Sequence, residues 1–171
     1  MTAYIALLRA VNVGGTGKLP MAELKAMCEA EGFETVKTYI ASGNVVFTSR
    51  LKEKAVKAAL EARLADYAGK PVGVMVRTVA EMSAVEAANP FKAAPGNRVV
   101  AIFLDEAPAN NALADVKHQA SEELRLGKRE IYVRYDEGMA SSKLVIPAAK
   151  AGTARNMNTV AKLAELASAL L

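Results

Sequence analysis

Stretches of strand length and stretches of helical periodicity follow one another along this chain in the order strand, helix, strand, strand, helix, and that order occurs twice. Few architectures satisfy it. In the first round, residues 4–11 are a continuous apolar run of strand length, and residues 12–17, rich in glycine, are a loop. Pro20 suits the first helical position; Met21, Leu24, Met27 and Cys28 then share one helical face up to Gly32. Residues 36–41 and 45–49 read as strands joined by Ser42-Gly43-Asn44, a hairpin signal. Ser49 is placed to cap the next helix, with Val56, Leu60, Leu64 and Tyr67 inward and Gly69 as its stop. A strand at 72–77 completes the ferredoxin-like order.

The second round opens on Thr78-Val79-Ala80-Glu81, a capping box for a short helix that ends at Asn89-Pro90. A strand at 98–104 follows, then a helix capped by Asn110 or Asn111, with Leu113, Val116, Ala120 and Leu124 inward and Gly127 as its end. Residues 130–135 are a strand, 143–146 its return, and residues 158–170 the last helix. The expectation is an α+β protein of two ferredoxin-like βαββα-type halves in tandem, residues 1–78 and 79–171, with mostly antiparallel sheets and helices on one face. The halves are packed on each other and count equally well as one compact domain.

Composition narrows the class. The chain has 171 residues, 52% of them hydrophobic, enough to bury a core without disulfides. Trp is absent and aromatics are 5%, so that core rests on aliphatic residues. The single Cys28 makes no internal disulfide, and no apolar stretch is long enough to span a bilayer. These features lead us to expect a soluble, cytoplasmic protein with no membrane partner.

Net charge is +4, with an uneven distribution. Residues 1–22, 35–52 and 138–164 carry Arg9, Lys18, Lys37, Arg50, Lys52, Lys143, Lys150, Arg155 and Lys162 with no acid among them. The glycine-rich loop is neither a Walker A loop, since Asn12 and Leu19 stand where Gly and Ser or Thr are needed, nor a dinucleotide fingerprint, since Pro20 replaces the third Gly. Asn12 and Lys18 there either meet an anion or belong to a connector. Arg155 and Asn156, at the approach to the last helix, either form an anion site or cap that helix and satisfy a carbonyl. Lys37 with Tyr39, and Tyr132 with Arg134, share strand parity, a pattern found on nucleic-acid platforms but more often on solvated or dimer-forming sheet faces. One His and one Cys assemble no metal site, and no cofactor motif is present. Cys28 lies on a buried face and His118 off an apolar one.

Three segments together carry a family resemblance. They are Tyr4-Ile5-Ala6-Leu7-Leu8-Arg9-Ala10-Val11-Asn12-Val13-Gly14-Gly15 with Pro20-Met21-Ala22-Glu23-Leu24, then Thr38-Tyr39-Ile40-Ala41-Ser42-Gly43-Asn44-Val45-Val46-Phe47, and Gly152-Thr153-Ala154-Arg155-Asn156 with Asn158-Thr159-Val160. In order and spacing the chain resembles the bacterial family of unknown function 1697. Ala10 stands where that family usually has Gly, Met157 where it has Trp, and the Arg usual before Ser142-Lys143-Leu144 is missing. The resemblance implies the fold and carries no activity or catalytic residue.

Its matching positions fall in the acid-free windows. The leading expectation is therefore an anion-binding surface that takes nucleic acid or a phosphorylated metabolite. Its residues would be Arg9, Asn12, Lys18, Ser42, Asn44, Lys143, Arg155 and Asn156. Duplex binding would weaken with salt at a log–log slope of about −0.9 per phosphate contacted. The alternatives are an enzyme acting on a small phosphorylated or carboxylated substrate in a closed pocket, and a structural or interaction protein without a ligand. Catalytic residues and oligomeric state are not read from these residues.

Overall fold

The apolar run near the start forms β1, Thr2–Leu8, in a computed structural model that describes residues 1–13 and 17–171. β1 pairs antiparallel with β3 (Asn44–Ser49) on one side and β4 (Val74–Thr78) on the other. β2 (Glu34–Thr38) lies outside β3, which gives the order β2-β3-β1-β4. The two crossovers are helices, α1 (Met21–Ala30) and α2 (Glu53–Ala68). This is the split βαβ arrangement of a ferredoxin-like half.

Strand alternation decides what those helices cover. Tyr4, Ala6 and Leu8 of β1, Val45 and Phe47 of β3, and Val74 and Val76 of β4 form one cluster with Leu24, Met27 and Cys28 of α1 and Val56, Leu60 and Leu64 of α2. Each fully buried aliphatic or aromatic side chain there contributes about 1.5–3 kcal/mol. Phe33 stacks on Phe47 with ring centroids 4.4 Å apart. The alternate positions Ile5, Leu7, Val46 and Arg77 are buried as well, which is why β1 reads as continuous rather than alternating. α2 ends at Gly69, in the left-handed region at φ 71°, where its N–H bonds Ala65 O. Ser49 does not cap α2. Lys52 occupies the N-cap, and Ser49 Oγ accepts instead from Leu51 N, an in-chain turn bond.

The capping box opens α3 (Val79–Ala87) as expected: Thr78 N bonds Glu81 Oε1 at 2.9 Å and Glu81 N bonds Thr78 Oγ1 at 3.2 Å. β5 (Val99–Phe103) then pairs antiparallel with β7 (Glu130–Arg134) and β8 (Thr153–Asn156), and β6 (Glu123–Leu126) lies outside β7. The order β6-β7-β5-β8 repeats that of the first sheet. α4 (Met157–Ser168) follows.

The second half departs from expectation in its connections. No helix spans the segment after Asn110. Residues 105–122 are turns, and Leu124 and Leu126 belong to the strand β6. A helix reaching Gly127 would leave one edge of β7 without ladder partners, whereas β6 supplies them through a hairpin in which Gly127 N bonds Glu130 O at 2.7 Å. Leu113, Val116 and Leu124 still reach the apolar cluster of Val100, Ile102, Ile131 and Val133, from coil and strand instead of a helix face, while Ala120 is exposed. The expected return strand at 143–146 is a single bridge, Val145 with Lys117, which ties the two long connections together. The final strand of this half is β8, placed in the segment expected to be only an approach to the last helix.

The chain divides into two compact units, Met1–Met82 with Lys162–Leu171 and Ser83–Ala161, so the divisions fall within α3 and within α4. Among the described residues no helix is long and apolar enough to cross a membrane.

Candidate functional site

The first unit holds a recess of about 470 Å³. Arg9, just after β1, lies on its wall because β4 runs antiparallel to β1 and brings Gly73 alongside: Arg9 N bonds Gly73 O at 2.9 Å. A side chain at Gly73 would rest against the Arg9 stem at 3.6 Å, an ordinary packing contact. Lys18 approaches in the loop before α1, and Tyr67 and Lys70 approach from the end of α2. Val11, Leu19, Leu64 and Val72 supply apolar surface. Among the described residues no acidic side chain lines the recess. Among the described residues, neither Lys18 nor Lys70 is in an ion pair.

Tyr67 and Lys70 were missed by sequence reasoning. Tyr67 continues the Val56, Leu60, Leu64 stripe by spacing and so reads as core, yet it is 47% exposed. The stripe runs off the end of the core there and becomes the wall of the recess. The only available signal was Lys70-Pro71 directly after the Gly69 stop.

Of the eight site candidates, five belong to the first unit: Arg9, Asn12, Lys18, Ser42 and Asn44. Arg9 and Lys18 share the recess. Asn12 is a clamp between loops: its Nδ2 donates to Leu19 O at 2.9 Å and Ala41 O at 2.7 Å, and its Oδ1 accepts from Leu19 N at 2.8 Å. Asn44 is fully buried and donates to Tyr39 O at 2.9 Å and to the exposed Ser42 Oγ at 2.8 Å, closing the hairpin. Gly43 in that hairpin has φ 90°, and a side chain on it would collide with Val11 and Leu8. Gly14 and Gly15, which carry part of the resemblance and of the glycine-rich loop, lie outside the described residues.

Lys143, Arg155 and Asn156 belong to the second unit. Lys143 is exposed. Arg155 is buried within β8 and donates from Nη1 to Thr153 Oγ1 at 2.6 Å and to Ala154 O at 2.9 Å. Burial pulls its guanidinium down to about 10. Asn156 Oδ1 accepts from Thr159 N at 2.9 Å, the geometry of an N-cap for α4. Tyr132, paired by parity with Arg134, offers no stacking surface. It is 2% exposed and donates to Val85 O at 2.8 Å, while Arg134 is held by Glu123 and Asp136. Among the described residues, no cluster of three or more His, Cys, Asp or Glu could hold a metal ion.

Two antiparallel four-stranded sheets of the same strand order, with helices, define an α+β protein of two similar ferredoxin-like halves. The chain belongs to the family described as Protein of unknown function (DUF1697), whose model matches residues 1–132. In structure it is similar to the conserved bacterial protein SP0830 from Streptococcus pneumoniae. That similarity has a TM-score of 0.79 and 25% sequence identity, over 97% of this chain and 98% of the other. No curated protein matches it.

Proposed function

We propose that the first unit binds a small anionic ligand, a phosphorylated or carboxylated metabolite, in the recess beside Arg9. The single observation that carries this reading is the convergence of Arg9, Lys18 and Lys70, from three separate segments, on a concave wall that holds no carboxylate among the described residues. Its volume suits a small molecule, whereas a nucleic acid duplex needs an open basic face. Among the described residues the wall carries cations and the Tyr67 phenol but no carboxylate, imidazole or thiol. Asn12, Ser42 and Asn44 serve this site by fixing the loop and the hairpin next to it. Lys143, Arg155 and Asn156 have no part in this reading.

Thermal unfolding in millimolar phosphate or citrate tests it. A ligand at about 100 times its Kd adds roughly 2.7 kcal/mol of stability, a rise of several degrees in Tm for a chain of this size. The exposed pair Lys18→Ala, Lys70→Ala should leave the anion-free Tm unchanged and remove most of that rise. An equal rise in the double variant would place the anion elsewhere and end the proposal.

A further inference from the structure

We infer that the ligand of this recess carries a planar ring as well as its anionic group, so that it is a phosphate ester of nucleotide size. This rests on the anion-binding reading above and adds to it. Tyr67 sits at the end of a helix whose preceding stripe residues Val56, Leu60 and Leu64 are all buried, yet its own ring is half out of the core and on the recess wall. Pro71 lies on the same wall. Every nucleobase has a π-face, so an exposed tyrosine beside apolar surface offers stacking that a sugar phosphate without an aromatic ring cannot use.

Charge gives the ligand a direction. The carbonyl end of α2 carries partial negative charge and opens beside Tyr67, which disfavours an anion there. Arg9 and Lys18, on the segment between β1 and α1, are where the phosphate belongs. Lys70, three residues beyond Tyr67, lies on the same wall and adds a third cation to the recess. Three cations around a recess with no acid among the described residues match the charge of a phosphomonoester, between about −1.5 and −2 at neutral pH, better than that of a monoanion.

Calorimetric titration of the full chain decides it, with inorganic phosphate, ribose 5-phosphate, adenosine and the four common ribonucleoside 5′-monophosphates as probes. At least one monophosphate should bind about tenfold or more tighter than ribose 5-phosphate, the margin expected of one stacked ring. Tyr67→Ala should erase that margin and leave ribose 5-phosphate affinity unchanged, and Tyr67→Phe should retain it. Equal binding of ribose 5-phosphate and all four monophosphates would overturn the ring while leaving the anion site standing. Failure of every phosphate to bind would overturn this inference and leave the anion site only its carboxylate form, and adenosine binding as tightly as its monophosphate would overturn the anion site and this inference together.

Discussion

Cys28 is fully buried on α1, and burial, reinforced by Glu29 and Glu31, pushes its thiol up from 9.0 to about 12. A raised folded-state value means that the stability from keeping the thiol neutral is complete below pH 9 and is lost as pH climbs toward 12. That gap corresponds to about 4 kcal/mol. Chemical denaturation at pH 9 and near pH 12 should therefore show a steeper alkaline loss in the native chain than in Cys28→Ala, and parallel losses would contradict it. Below pH 9 the thiol should resist alkylation until the chain unfolds. At Asn12, by contrast, all three hydrogen bonds named above go to backbone atoms of this chain, and the residue sits at φ 54°, a conformation asparagine tolerates better than most. Residue type marked Asn12 and Asn44 as ligand candidates, but an amide that recognises a ligand and one that clamps two loops are the same in a sequence. Only the partner atoms separate them.

Helix caps divide in the same way at the level of elements. Thr78 and Glu81 form their box at positions that local spacing alone specifies, because both partners lie within one turn. Ser49 was an equally good local candidate and bonds Leu51 N instead. Asn156 links β8 to α4: its side chain caps the helix directly after the strand ends. Asn156→Ala should lower the unfolding free energy by about 1 kcal/mol and Asn156→Asp should restore most of it, measured by urea unfolding. An Asn156→Ala variant of native stability would mean that the cap carries no energy. The connection at 105–122 is the largest departure. Its apolar residues had helical spacing, yet β7 needs a partner on its outer edge and takes the residues directly after it, Glu123–Leu126, as β6.

For the whole molecule, protection from hydrogen exchange should follow the two sheets. β1 and β5 are each paired on both sides and buried along nearly their whole length, so their amides should exchange among the slowest. Residues 105–122 and 135–152, which cross the second half without a long helix, should exchange far faster than α1 and α2, which cross the first; equal protection would contradict this. The strand–helix order of the first half, the capping box, the stop at Gly69 and the buried face of α1 were legible in the sequence because each rests on neighbours within a turn or on a continuous apolar run. So was the presence of Arg9 and Lys18 in an acid-free stretch. Tertiary structure alone decided that the second half keeps the strand order while losing its crossover helices, since strand edges are satisfied by residues far along the chain. It alone brought Tyr67 and Lys70 to Arg9, because the antiparallel pairing of β1 with β4 sets the ends of distant segments side by side.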